Sequence, residues 1–260
     1  MKTKYIQLYI CLCLFFCFGC SKDESEIQII EDEIEIIDAI EENEDDSDND
    51  DDDDDNTPSE TIKILSLGDS YTIGQSVCET CRFPEQLKDS LKLKVESNTN
   101  FELKVIATTG WTTSDLINAI STENLATDYD LVTLLIGVNN EFQGRPFSVY
   151  QTEFPQLINT AIEKANGDQN NIIVVSIPDY AFTPFGRGRE SISTRLDTYN
   201  DFAENYCLEN DISYVYITDI TRQGLENTAL VASDNLHPSE LAYSKFVEKI
   251  RPVAFEKLND

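Results

Sequence analysis

Five short apolar runs recur along the chain with one look. They fall at 62–67, 102–107, 130–136, 172–177 and 212–217, rich in β-branched residues and mostly apolar on both faces. That is the pattern of parallel strands covered by helices. Between them, apolar positions recur at helical spacing over 84–93, 113–121, 148–166 and 191–210, with a last such stretch at 238–258. Pro84 and Pro238 suit first-turn positions, where the missing N–H costs nothing. Strand and helix alternating five times predict one domain over 61–260, a three-layer α/β/α sandwich around a five-stranded parallel sheet. Inserted loops are expected at 75–83 and 178–190, and no internal repeat is present.

Upstream of residue 61 the pattern changes twice. Lys2 and Lys4 precede an apolar run from Tyr5 to Gly19 that ends at Cys20. The run is short for a membrane span, and its flanks fit an export signal. Cys17-Phe18-Gly19-Cys20 resembles a bacterial lipoprotein signal, although Cys17 and Phe18 stand where that family usually has Leu and a small residue. The resemblance implies a signal peptide over 1–20 and lipidation of Cys20. It also implies a membrane-anchored protein, and Ser21-Lys22-Asp23-Glu24 is similar to signals that send such lipoproteins to the cell surface. Outer membrane or cell surface is therefore the expected location, with the periplasmic face as the alternative. Residues 21–60 hold 21 acids and one base. Sequence this acidic and simple stays solvated, so it reads as a disordered tether. Asp46, Asp48 and Asp50 alternate, but the glycine and terminal Glu of a calcium loop are not in place.

Charge and cysteines narrow the class of the remaining domain. Residues 61–260 carry 28 acids against 16 bases, a balance of −12. No basic stripe is present, and such a field repels phosphate backbones, so nucleic acid is not an expected partner. Of seven cysteines, only Cys78, Cys81 and Cys207 lie in this part. Cys78-Glu-Thr-Cys81 has the spacing of a redox pair or half a zinc site. With no second pair, and the only histidine far away in sequence, a local disulfide or plain loop thiols is the favoured reading. No metal or cofactor is called for.

The chemistry collects where strands end. Gly68-Asp69-Ser70 follows the first run, Thr108-Thr109-Gly110-Trp111 the second, and Gly137-Val138-Asn139-Asn140 the third. Ser233-Asp234-Asn235-Leu236-His237-Pro238 follows the last. Strand C-termini in an α/β sheet converge on one crevice. A serine needs a base within reach to act as nucleophile, and His237 is the only histidine in the chain. Asp234, three residues earlier, can hold the other ring nitrogen. The N–H groups of Ser70 and Gly110 and the Asn139 amide can face a developing oxyanion.

These four blocks resemble those of the SGNH (GDSL-type) hydrolases, over about residues 62–256. The resemblance implies a flavodoxin-like fold and a serine esterase or acylhydrolase acting on carboxylic esters through an acyl-enzyme. Ser70, His237 and Asp234 would form the triad, and Ser70, Gly110 and Asn139 the oxyanion hole. Asn140 stands where the family often has Asp, an exchange expected to cost little. Trp111 replaces a small polar or acidic residue, which leaves the substrate open. A carbohydrate O-acetyl esterase and a catalytically silent binding lipoprotein on the same scaffold are the alternatives. Trp111, Phe142, Phe147, Tyr180, Phe182 and Phe185 read equally as an acyl groove or as loop packing. Arg145, Arg187 and Arg189 read as solvated loop charges, with recognition of an anionic substrate as the other reading.

Overall fold

The computed structural model describes residues 60–95 and 98–259. The expected export signal with Cys20, and the acidic tether up to residue 59, lie outside the described residues. Five strands form one parallel sheet in the order β2-β1-β3-β4-β5: β1 (Thr61–Gly68), β2 (Asn100–Ala107), β3 (Leu131–Leu135), β4 (Ile172–Val175) and β5 (Ser213–Val215). The helices are α1 (Ser70–Ile73), α2 (Phe83–Lys92), α3 (Thr113–Thr122), α4 (Val138–Phe142), α5 (Phe147–Lys164), α6 (Glu190–Glu209), α7 (Thr218–Thr221) and α8 (Glu240–Lys257). The chain steps one way from β1 to β2 and then reverses toward β5. Right-handed crossovers therefore put α2 on one face and α3, α5 and α6 on the other. Packing agrees, since α2 lies against α8 and α5 lies against both α3 and α6. This is the three-layer flavodoxin-like arrangement expected from the alternation of elements.

Burial explains the strand order. Every residue of β3 and β4 is buried, as are Ile64, Leu65 and Leu67 of β1. The strand β2 differs from expectation. It is an edge strand, and only Ile106 and Ala107 at its end are buried. Its alternating Glu102 and Lys104 suit a face open to water. Local signals set the helix starts. Pro84 sits in the first turn of α2. Thr112 and Asp115 close a reciprocal capping box on α3, satisfying two otherwise orphaned N–H groups. Pro238 is not in a first turn. Ser239 caps α8, accepting from Ala242 N, while Pro238 pairs across an isolated bridge with Val231. The two expected inserted loops are present, each holding one short 3₁₀ turn, at Glu79–Cys81 and Tyr180–Phe182.

Candidate active site

The β1 strand ends in a tight turn that leaves no room for a side chain at Gly68. A Cβ on Gly68 would stand 2.1 Å from Thr72 Oγ1 and 2.4 Å from the Leu135 carbonyl oxygen. The glycine lets β1 run directly into α1. Asp69 caps α1, its Oδ1 accepting the Tyr71 N–H at 3.0 Å. Asp69 is fully buried, and Oδ2 has no partner with hydrogen-bond geometry. Burial pushes its carboxyl up to about 7, against the opposing pull of the Tyr71 and Gly137 N–H groups. Ser70 is then the first residue of α1 and is itself buried. Its N–H belongs to the first turn, which has no intrahelical acceptor.

The segment carrying Asp234 and His237 folds over this turn from the far end of the chain. It does not follow β5 directly, because α7 and a 3₁₀ turn at Thr228–Leu230 intervene. Asp234 Oδ1 accepts the N–H groups of Leu236 at 2.9 Å and His237 at 3.0 Å. Oδ2 lies 2.6 Å from His237 Nδ1. A carboxylate only accepts, so Nδ1 carries the proton and Nε2 is left as the basic nitrogen. Oδ2 also accepts from Ser76 Oγ at 2.7 Å. Partial burial alone would raise the Asp234 carboxyl. The hydrogen bonds from Ser76, His237 and the two backbone N–H groups outweigh it, holding the acid well below the usual carboxylate range. The His237 ring meets Tyr71 edge-on, with centroids 5.7 Å apart. Among the described residues, Ser70 Oγ and His237 are not hydrogen-bonded to each other. Such contacts are often long before substrate arrives.

The other two blocks are tied to the same turn. Thr109 Oγ1 donates to Gln75 Oε1 at 2.6 Å, joining the loop after β2 to the loop after α1. Gly110 adopts φ +88°, and a Cβ there would meet nothing within 4 Å, so its flank is open. Asn139 Nδ2 donates to the Trp111 carbonyl at 3.0 Å, and Gln143 Nε2 to the Gly110 carbonyl at 2.8 Å. These two bonds hold α4 against the Gly110 turn, and the second Asn139 N–H remains available. Asn140, where the exchange from the family's Asp was expected to cost little, is fully buried. Its Oδ1 accepts the Thr113 N–H at 3.0 Å, and its Nδ2 donates to Thr113 Oγ1 at 2.6 Å. All the candidate residues but Cys20 are therefore brought to one sheet edge, joined through Ser76, Gln75, Asn140 and Gln143. None of these four was picked out as a site residue from sequence, because each acts through a partner distant in the chain. Cys78 and Cys81 are disulfide-bonded, closing the loop just after Ser76, and Cys207 is free and buried.

The sequence model of the GDSL-like lipase/acylhydrolase family matches residues 66–245. The chain belongs to this family. As a GDSL-like protein it is a hydrolase acting on ester bonds. A comparison with curated protein sequences finds no match. Solved structures of similar fold include a lipase from a goat rumen metagenome (TM-score 0.61, 16% identity, covering 75% of this chain and 98% of that one). The lipase/acylhydrolase from Enterococcus faecalis is also similar (TM-score 0.60, 18% identity, 75% of this chain and 96% of that one). So is an acetyl xylan esterase from Geobacillus stearothermophilus (TM-score 0.58, 18% identity, 76% of this chain and 96% of that one). At these identities the likeness is one of fold, and the GDSL-like fold is the one described above.

The aromatic residues divide into two groups. Phe147 packs inside, against Tyr150, Tyr199 and Phe202. Phe142 and Phe185 are exposed by 53% and 43%, and both rings contact Tyr180. Loop packing is thus the outcome for the first, and an open aromatic shelf for the others.

Proposed function

We propose that this hydrolase is a serine esterase in which Ser70 is the nucleophile, His237 the general base and Asp234 its orienting acid. The observation that carries the reading is the Asp234–His237 pair at 2.6 Å, docked on the Ser70 turn through Ser76 and Tyr71. His237 Nε2 takes the Ser70 proton as Oγ attacks the carbonyl of a carboxylic ester. The charge that builds on the carbonyl oxygen is met by the N–H groups of Ser70 and Gly110 and by the Asn139 amide. His237 then gives its proton to the departing alcohol. Water activated by the same nitrogen releases the acid from the acyl-enzyme. Each donor in such a hole is worth roughly 10²–10³ in rate. An acetylated carbohydrate is the second reading of the substrate. What favours it is the exposed Phe142 and Phe185 shelf, together with the fold shared with an acetyl xylan esterase. The N-terminal pattern supports an exported lipoprotein anchored through Cys20 on an acidic tether.

The test is covalent labelling with a fluorophosphonate, alongside turnover of p-nitrophenyl acetate. Wild type should label and Ser70→Ala should not, and Ser70→Ala and His237→Ala should each lose hydrolysis while remaining folded. Near-wild-type turnover in either variant would sink the mechanism. An unlabelled, inactive wild type would instead make the protein a binder on this scaffold.

A further inference from the structure

An open groove of about 390 Å³ lies beside the candidate active site and is not used by the triad. Glu141 and Phe142 line it, and both follow Asn139 on α4. Phe185 lines it as well, and its N–H donates to the Asn235 carbonyl at 3.0 Å, between Asp234 and His237. Tyr180 lines this groove and also the small hollow against His237. Through Tyr180 and Phe185 the groove is joined to the loop that carries His237.

Its chemistry is aromatic and locally cationic. Phe142, Tyr180 and Phe185 are in mutual contact and form the apolar shelf. Glu141 is buried, with one oxygen taken by Arg195 at 2.6 Å and the other by the Tyr180 hydroxyl at 2.7 Å. That carboxylate is consumed by its partners. Arg189 also lines the groove. Its Nε donates to the Gly186 carbonyl at 3.0 Å, and among the described residues it has no carboxylate partner. With Arg195 and Glu141 paired, Arg189 leaves one positive charge in this groove of a domain whose balance is −12. A guanidinium and an aromatic shelf lining one groove match a flat or pyranose ring that carries a carboxylate.

We infer that this groove binds the alcohol half of the ester, and that the alcohol is a ring bearing a carboxylate, as in an acylated uronic-acid unit. The alcohol half is assigned because Tyr180 and Phe185 tie the groove to the loop of His237, which hands its proton to the departing oxygen. The inference rests on the serine-esterase reading above and adds the substrate class to it.

A matched pair of acetate esters tests it on the full-length protein: 4-acetoxybenzoate, whose leaving group carries a carboxylate, and 4-acetoxybenzamide, whose leaving group is neutral. Wild type should show a kcat/KM ratio of about tenfold in favour of the acid, one charge-assisted contact's worth of discrimination, and the ratio should shrink with added salt. Arg189→Gln should bring the ratio close to one, and Arg189→Lys should restore part of it. Using a ratio within each variant removes any common loss from misfolding. A wild-type ratio near one, or one that Arg189→Gln leaves unchanged, overturns the inference while leaving the triad intact. Hydrolysis of both esters by Ser70→Ala would instead overturn the esterase reading beneath it.

Discussion

Asn140→Asp puts the link between the start of α3 and α4 to a direct test. The Asn140 amide meets Thr113 twice, accepting its N–H and donating to its hydroxyl oxygen. That hydroxyl in turn donates to Glu153 Oε2, so its single hydrogen is already committed. An aspartate replaces the Nδ2 donor with a second acceptor aimed at Thr113 Oγ1. Two carboxylates then compete for one hydroxyl hydrogen, and although the Thr113 N–H still serves one oxygen of residue 140, a carboxylate oxygen is left in the interior without a donor. Such a change costs about 2–4 kcal/mol, because a buried charged acceptor loses its compensation. For a domain of roughly 200 residues this corresponds to a drop in Tm of about 5–15 °C. The sign with pH follows from burial. The new carboxyl titrates above its unfolded value of about 3.9. The variant is therefore close to wild type below about pH 4 and loses stability as pH rises through the raised value. Thermal unfolding followed by circular dichroism between pH 4 and 8 measures this, and ester turnover should fall in parallel because Asn139 is the adjacent residue. A variant whose Tm tracks wild type at pH 8 would refute the hydrogen-bond assignment.

Three other outcomes follow from the same geometry. Burial raises the Asp69 carboxyl from 3.8 to about 7, so the native state holds a proton that the unfolded chain has lost between those values. Stability should decline as pH rises through that window, and Asp69→Asn should flatten the decline in denaturant titrations at pH 4–8. An equally steep decline in the variant would show that another group is responsible. Ser76→Ala removes one of four donors to Asp234. With that carboxylate 29% exposed, water replaces much of the bond. The remaining loss of about 1 kcal/mol predicts a roughly fivefold fall in kcat/KM at unchanged Tm. Equal kcat/KM in the two proteins would remove Ser76 from the site. Gly137 sits at φ +127°, and a Cβ there would stand 2.6 Å from Tyr150 Cε2 and 2.8 Å from Ile177 Cδ1. Gly137→Ala should lower Tm by about 5–15 °C through strain and overpacking, read by calorimetry, and a shift under 2 °C would mean the core yields at no cost.

Much of this architecture was legible because it is written in local patterns. Alternating apolar strands and helical stripes placed all five strands and the five long helices, most ends falling within two residues of those observed. Strand ends in a parallel sheet share one edge, so the polar blocks after β1, β2 and β3 group there from the pattern alone, whereas the 233–238 block lies beyond α7 and reaches the edge through tertiary contacts. What escaped was settled by distant partners. The position of β2 at the sheet edge depends on strand order, which no single run encodes. Pro238 looked like a first-turn residue because a helix follows it, yet Ser239 supplies a better cap. Ser76 carries no motif of its own, and the block that holds Asn140 does not reveal its partner. Each is defined by what lies opposite, an acid 158 residues away in one case and a hydroxyl already bonded to Glu153 in the other. The aromatic residues were ambiguous for a related reason, since exposure rather than identity separates Phe142 from Phe147.

On the mechanism proposed above, with Ser70 as nucleophile and His237 as base, the Ser76–Asp234 bond makes catalysis a report on the completion of folding. Nucleophile turn and base loop come from opposite ends of the domain's sequence, and neither holds the other in place until the whole sheet between them has formed. A chain that stops short of His237, whatever secondary structure it has gained, has no proton acceptor for Ser70. A chain that crosses a membrane unfolded would be silent on the near side and would switch on only after its last segment has docked. Recovery of ester hydrolysis after denaturation should accordingly lag behind recovery of helical signal, with the delay measuring the final closure of the loop at 233–238.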